Sequence, residues 1–111
     1  DLSEGGLGVA LAEMAFAGGV GAEIDLFLVP WDGEGLRDDR VLFSETCTRF
    51  LLEVSPRDQR AFENGMAGTT VGRIGRTIAD PVLRLRGIHG RPILDEPLSA
   101  LKEAWQAPLR W

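Results

Sequence analysis

The stretch Asp1-Leu2-Ser3-Glu4-Gly5-Gly6-Leu7 leads directly into Gly8-Val9-Ala10-Leu11-Ala12-Glu13-Met14, and these residues together decide the fold. Because the paired glycines lack a Cβ, the backbone there can approach another group closely. The apolar run behind them predicts a helix over residues 7 to about 17, which the glycine pair Gly18-Gly19 ends. A helix whose only charged residue is Glu13 is buried on most sides, so the remaining chain is expected to pack around it.

The glycine turn in front of this helix also predicts an anion-binding site. The first N–H groups of a helix have no partner within the helix, and they lie at the positive end of its dipole. Phosphate is the usual ligand of such a turn. The carboxylates of Asp1 and Glu4 would lie beside that phosphate, although an acidic residue in a first turn also stabilises a helix start. A tight turn into a packed helix, with no ligand, is the alternative interpretation of Gly5 and Gly6.

Apolar alternation and turn residues predict the other elements. Strands are predicted over residues 22–29, 49–54, 69–74, 82–86 and 91–94, and helices over residues 55 to about 64 and after Asp95-Glu96-Pro97. In the last helix, Leu98, Leu101, Trp105 and Leu109 form a packing face, and Trp111 either docks back or is free. This order predicts one α+β domain over residues 1–111, with a mixed or antiparallel sheet and helices packed on it.

A polar turn at Ser44, Glu45, Thr46 and Thr48 is the second candidate site element. Ser44, Thr46 and Thr48 offer hydroxyl groups. Glu45 and Arg49 can form a local ion pair. A turn held together by its own side chains is the alternative. Cys47 is not expected to be a nucleophile, because the only histidine, His89, lies far along the chain in a predicted surface hairpin turn.

Composition excludes several function classes. The net charge of −5 argues against broad binding of nucleic acid or anionic membranes, which depends on lysine and arginine patches. The acidic residues between Asp32 and Asp39 do not have the spacing of an EF-hand, so we interpret them as a solvated loop and expect no metal site. A single cysteine fits a reducing cytoplasm, and no apolar run is long enough to cross a bilayer.

Four segments, in order, carry a family resemblance. Residues 1–14 resemble the Ser-Asp-Gly-Gly-Leu segment of phosphoribosylformylglycinamidine synthase, and Leu42-Phe43-Ser44-Glu45 with Arg49-Phe50 is similar to a second family signature. Val71-Gly72-Arg73-Ile74-Gly75 and Ala104-Trp105 resemble two weaker ones. The resemblance implies the C-terminal domain of that enzyme, a layered α/β/α arrangement of the aminoimidazole ribonucleotide synthetase superfamily. It also implies that the chain begins inside that domain, as an N-terminally truncated piece.

The resemblance implies a site as well. The phosphate of the ribonucleotide substrate would be bound by the backbone of Gly5, Gly6 and Leu7 with support from Ser3. Glu4, which stands where the family usually has aspartate, would line the site. The other lining residues would be Ser44, Glu45 and Arg49. No residue of this chain is expected to be catalytic.

The resembled enzyme uses ATP, with Mg²⁺, and glutamine-derived ammonia to convert formylglycinamide ribonucleotide to its amidine in purine synthesis. The implied partners are an upstream ATP-binding domain and a glutaminase component. The isolated chain is expected to bind no cofactor, to be inactive and to self-associate as a homodimer through its first helix or an open sheet edge. The alternatives are a non-catalytic phosphate- or partner-binding module, or the equivalent domain of aminoimidazole ribonucleotide synthetase, selenophosphate synthetase, thiamine-monophosphate kinase or a hydrogenase maturation factor.

Overall fold

The computed structural model describes residues 1–110, so the prediction for Trp111 lies outside the described residues. The helices are α1 (Gly6–Gly18), α2 (Asp38–Phe43), α3 (Gln59–Gly65) and α4 (Leu98–Gln106), and the strands are β1 (Gly21–Asp25), β2 (Gly75–Ile78), β3 (Val82–Arg86) and β4 (Pro92–Pro97). Short 3-10 turns follow β1 at Leu26–Leu28 and α4 at Ala107–Leu109.

The four strands form one mixed sheet in the order β2-β1-β3-β4. Strand β1 pairs antiparallel with β2 and parallel with β3, and β3 pairs antiparallel with β4. The parallel pair is possible because a long excursion containing α2 and α3 separates β1 from β3 in the chain. The predicted α+β fold with a mixed sheet is confirmed.

One face of the sheet forms the core together with α1. Ala22 and Ile24 of β1 lie in register with Leu83 and Leu85 of β3, and all four side chains are buried. The same cluster includes Leu2, Leu7, Leu11, Ala15, Leu26, Val41 and Leu98. Burying one leucine side chain stabilises the fold by about 1.5–3 kcal/mol. The all-apolar character of α1 therefore follows from its neighbours, since it packs against both α2 and α4.

The opposite face of the two central strands carries charged side chains, because residues alternate between faces along a strand. Glu23 on β1 pairs with Arg76 on β2 at 3.2 Å and with Arg84 on β3 at 3.4 Å. Arg84 in turn lies 3.5 Å from Asp95 on β4. We call these four residues the charge ladder, and it crosses every strand of the sheet.

The ends of α1 are as the sequence predicts, within one residue. Gly19 adopts a left-handed conformation with a φ of 67°, and its N–H donates to the carbonyl of Ala15. This arrangement satisfies a carbonyl at the helix end, and glycine adopts it without a steric penalty.

Two strand predictions are wrong and two are displaced. Residues 49–54 and 69–74 lie in no strand of the described structure. Strand β1 ends at Asp25, where the Asp25 carboxylate accepts the N–H of Phe27 and starts a 3-10 turn. Because β1 ends there, its pairing with β2 starts at Gly75, which lies opposite Ile24. One further backbone hydrogen bond joins the N–H of Asp25 to the carbonyl of Ile74.

The remaining differences concern β2, which was not predicted, α3, which begins at Gln59 and not at residue 55, and also β4 and α2. Strand β4 continues to Pro97, so Asp95 and Glu96 pair with β3 instead of capping the last helix. The short helix α2 was not predicted, because six residues give too little periodicity for a helix. Its Val41 is fully buried, which shows that tertiary packing stabilises it.

Candidate functional site

The glycine turn has the backbone conformation that its sequence predicts. Gly5 is the N-cap of α1 with a φ of 85°, and Gly6 follows with a φ of 75°. Both values lie in the left-handed region, where a residue with a Cβ pays roughly 1–2 kcal/mol. Two consecutive left-handed residues turn the chain sharply into the helix, and only glycine does this without strain.

Gly6 also permits close packing between two helices. A Cβ at Gly6 would lie 2.7 Å from the carbonyl oxygen of Leu42 and 2.8–2.9 Å from backbone atoms of Phe43. The start of α1 therefore rests directly on the backbone at the end of α2. This contact gives Gly6 a structural role that does not depend on a ligand.

The two candidate site elements meet in the folded chain. The N–H of Gly5 donates to Oε1 of Glu45 at 2.7 Å, across a separation of 40 residues. The carboxylate of Glu45 therefore binds the amide of Gly5, which the sequence predicts to bind phosphate. A carboxylate is an anion at the positive end of a helix, so its position is favourable for the reason that phosphate would be.

Ser3 and Glu4 lie on the exposed side of the turn. Both the N–H and the hydroxyl group of Ser3 donate to the carboxylate of Asp1, the N–H at 2.9 Å. Gly6 and Leu7 are buried, whereas Ser3, Glu4 and Glu45 are exposed. A ligand would therefore approach the turn from the side of Ser3, Glu4 and Glu45.

The polar turn after α2 is held by its own groups. The hydroxyl groups of Ser44 and Thr46 lie 2.8 Å apart, and the guanidinium of Arg49 donates to the carbonyl of Ser44 at 3.4 Å. Arg49 does not pair with Glu45 within the described residues, so the predicted ion pair is wrong. The carboxylate of Glu45 has the glycine turn as its partner instead.

A solvent-open depression of about 430 Å³ lies beside this turn. Its lining residues are Trp31, Asp39, Arg40, Phe43 and Ser44. Ser44 is common to the depression and to the candidate site. Arg40 and Phe43 belong to α2, which the sequence did not predict, so no local pattern indicated this depression.

Asp38 has a structural role that the sequence did not indicate. Its carboxylate accepts the N–H of Ile88 at 2.7 Å and so joins the start of α2 to the turn between β3 and β4. The sequence placed Asp38 in a solvated acidic loop, and no local signal could have revealed a partner 50 residues away. His89, in the same turn, is exposed as predicted.

Within residues 1–110, no three histidine, cysteine, aspartate or glutamate side chains lie together where they could hold a metal ion. No helix of the same region has the length and apolar character needed to cross a membrane. Cys47 is free and exposed.

Comparison with known proteins decides the family. Residues 1–88 match the family described as AIR synthase related protein, C-terminal domain. The chain belongs to this family. The matched residues include the glycine turn and strands β1, β2 and β3.

Individual relatives agree with the family. The phosphoribosylformylglycinamidine synthase subunit PurL of Synechocystis sp. is 39% identical over 98% of this chain, and PurL of Moorella thermoacetica is 40% identical over 96%. In each case the chain spans 14% of the relative's length. The resemblance that the four sequence segments indicated is therefore confirmed.

Solved structures of a relative share the fold. Thermotoga maritima PurL complexed with ATP superposes on 91% of this chain with a TM-score of 0.78 at 24% identity, and 18% of that chain is covered. The same protein complexed with FGAR gives a TM-score of 0.70 at 25% identity, with 17% of that chain covered. The glycine turn thus lies in a domain whose relatives are much longer proteins.

Proposed function

We propose that this chain is the C-terminal domain of a phosphoribosylformylglycinamidine synthase subunit. In that role it takes part in the ATP- and glutamine-dependent conversion of formylglycinamide ribonucleotide to its amidine in purine synthesis. The observation that carries the proposal is that relatives named as this subunit match 96–98% of the chain at 39–40% identity. The ATP and FGAR complexes of the Thermotoga maritima relative support the same assignment.

The proposal includes partners outside residues 1–111. A longer polypeptide upstream of Asp1 would supply the ATP-binding domain, and a separate component would supply ammonia from glutamine. ATP and Mg²⁺ would be bound mainly by that upstream domain, and the assembled enzyme would work in the cytoplasm. The chain spans 14% of the length of each of these relatives, so most of each relative lies outside the region that this chain matches.

The site residues keep the roles that the family resemblance implies. The backbone of Gly5, Gly6 and Leu7 would bind the ribonucleotide phosphate, with the hydroxyl group of Ser3 in support. Glu45 accepts the N–H of Gly5, so the phosphate would either replace this carboxylate or use the neighbouring amides. In both cases the domain contributes positioning and fixed dipoles, which are the main contributions of proteins to phosphoryl transfer.

Ser3→Ala in the intact enzyme tests the phosphate assignment. Loss of one hydroxyl donor to a charged oxygen costs about 1.5–3 kcal/mol, so KM for the ribonucleotide should rise roughly 10- to 150-fold while KM for ATP is unchanged. Steady-state kinetics with each substrate varied in turn measures both constants.

Ser55→Ala is the matched control, because Ser55 is also exposed and its hydroxyl donates to a nearby aspartate, Asp58, at 2.9 Å. It should leave both KM values unchanged. Equal ribonucleotide KM values for the two variants would reject the supporting role of Ser3 in phosphate binding without rejecting the enzyme assignment. Amidine formation by the intact enzyme tests that assignment directly, and ATP hydrolysis by the isolated 111-residue chain above a buffer blank would contradict the proposed division of roles.

One observation favours a second interpretation of the turn. Gly6 is required by its contact with the backbone of Leu42 and Phe43, and Gly5 already has an anionic partner within the chain. A turn that only packs α1 against α2 would have the same features. A rise in the ribonucleotide KM of Ser3→Ala would favour the phosphate site, since a packing turn does not need the exposed hydroxyl group.

A further inference from the structure

Residues 50–54 have the sequence of a strand but lie in none. Phe50, Leu52 and Val54 alternate with Leu51 and Glu53, which is the pattern of a half-buried strand. In the structure Leu51 packs against the core, whereas Phe50 is 65% exposed and Leu52 is 60% exposed. Two large apolar side chains on one short segment are therefore left to solvent.

The backbone of this segment lacks partners as well. Within the described part of the chain, no N–H or C=O group of residues 50–54 joins a backbone hydrogen bond. Directly before the segment, the N–H of Leu2 donates to the carbonyl of Arg49 at 3.1 Å. An unpaired strand-like segment of this kind is a template for pairing with another strand.

Two contacts give the direction in which such a pairing would continue. Leu2 bonds to Arg49, and three residues later Gly5 bonds to the side chain of Glu45. The partner number falls as the N-terminal number rises, so the two segments run antiparallel. Continued in the same register, Asp1 lies opposite Phe50, and only residues upstream of Asp1 can lie opposite Leu51 to Val54.

We propose that residues 50–54 pair, as an antiparallel strand, with the polypeptide that directly precedes Asp1 in the longer protein. The inference rests on the proposed function, which places this chain in a longer subunit. The bond between Leu2 and Arg49 already holds the entering chain at the correct place. Residues joined covalently to this point have a high effective concentration, whereas a second copy must pay the cost of association.

The pairing has a consequence for the site. Arg49 and Glu45 lie in the same loop, and Glu45 binds the glycine turn. A strand paired along residues 50–54 fixes the far end of this loop and so positions the carboxylate of Glu45. The upstream polypeptide would thereby influence the glycine turn through backbone pairing.

Hydrogen exchange of individual amides tests the proposal. Along a strand, the N–H and C=O groups of alternate residues point to the same side. Since the carbonyl of Arg49 points to Leu2, the amides of Leu51 and Glu53 face the proposed partner, and those of Phe50 and Leu52 face away. In the intact protein, exchange at Leu51 and Glu53 should be at least about 100-fold slower than in the 111-residue chain measured at a dilution where it is monomeric. The amides of β3 should be protected in both proteins.

Two proline variants provide a matched pair. Glu53→Pro removes an N–H that faces the proposed partner, and Leu52→Pro removes one that faces away. Glu53→Pro should lower the Tm of the intact protein by several degrees more than Leu52→Pro, and the two should differ little in the 111-residue chain.

Unchanged exchange at Leu51 and Glu53 in the intact protein would overturn the proposal. Protection of these amides in the intact protein that rises with protein concentration would also overturn it, because a second copy would then be the partner. Amidine formation by the same intact protein is measured separately, so a failure of the strand pairing is distinguishable from a failure of the proposed function.

Discussion

At the residue scale, the two glycines of the turn have different structural roles, which the sequence alone does not distinguish. Gly5 supplies a left-handed N-cap whose amide is bound by Glu45, and Gly6 supplies a second left-handed residue in contact with the backbone of α2. A substitution at Gly6 therefore disturbs the packing of α1 on α2, so it cannot test ligand binding separately. Ser3, which is exposed, is the better position from which to test binding.

Gly6→Ala should destabilise the chain by about 2–4 kcal/mol, because the left-handed conformation costs a non-glycine residue about 1–2 kcal/mol and the new Cβ overlaps backbone atoms of Leu42 and Phe43. Gly18→Ala is the matched control in the same helix. A Cβ at Gly18 meets nothing within 4 Å, so this variant should be neutral or more stable by up to about 1 kcal/mol. Urea unfolding measures both, and equal midpoints would contradict the packing role of Gly6.

At the scale of elements, the sheet has two faces of different character. The apolar face is buried by α1 and α4, and the other face of its central strands carries the charge ladder. Helix α4 is attached at its far end by an aromatic contact between Trp105 and Phe16, with ring centroids 5.7 Å apart, and by a hydrogen bond from the indole of Trp105 to Glu13 at 3.1 Å. Glu13, the only charged residue of α1, thus has a partner on α4.

Glu23→Gln tests the charge ladder, because Glu23 is the carboxylate shared by Arg76 and Arg84. Its side chain is 38% exposed, so solvent screening limits the loss of stability to about 0.5–1 kcal/mol at low ionic strength. The loss should shrink at about 1 M salt, where the Debye length is about 3 Å. Asp39→Asn, which breaks a more exposed pair with Arg37, is the control and should cost less. A loss for Glu23→Gln that does not depend on salt would show that the ladder acts through packing or hydrogen bonds and not through charge.

At the scale of the whole molecule, several large apolar side chains are exposed on the described surface. They include Phe27, Phe43, Phe50, Leu52 and Leu109, each at least 60% exposed. On α1, Leu11 is buried within the chain, whereas Met14 is 42% exposed. Apolar surface of this kind commonly marks a contact with another protein or domain.

The isolated chain is therefore expected to self-associate, most simply as a twofold dimer, through the first helix or an open sheet edge, with the unpaired segment of residues 50–54 as a further candidate surface. The acidic loop from Asp32 to Asp39 should not take part. Sedimentation equilibrium over a tenfold concentration range should show a mass that rises above that of the monomer. Leu52→Asp should reduce the association if residues 50–54 form the contact. A monomer mass at every concentration would reject the prediction.

The sequence by itself determined the features whose causes are local. Gly5, Gly6 and Gly19 mark the ends of α1 because their left-handed conformations are adopted without strain only by glycine. The alternation of Val82 to Arg86 predicted β3 correctly, since its leucines face the core. The four motif segments also indicated the family, because each consists of neighbouring residues that remain neighbours in any fold.

Only the tertiary structure decided what depends on partners distant in the chain. Residues 49–54 have the pattern of a strand, but a strand needs a neighbour, and residues 50–54 make no backbone hydrogen bond within the described part of the chain. Helix α2 exists because Val41 is buried under elements far away in sequence. The carboxylate of Glu45 reaches Gly5 and not Arg49, because the fold brings the end of α2 against the start of α1. Local propensity sets which conformations a segment can adopt, and long-range packing and hydrogen bonding select among them.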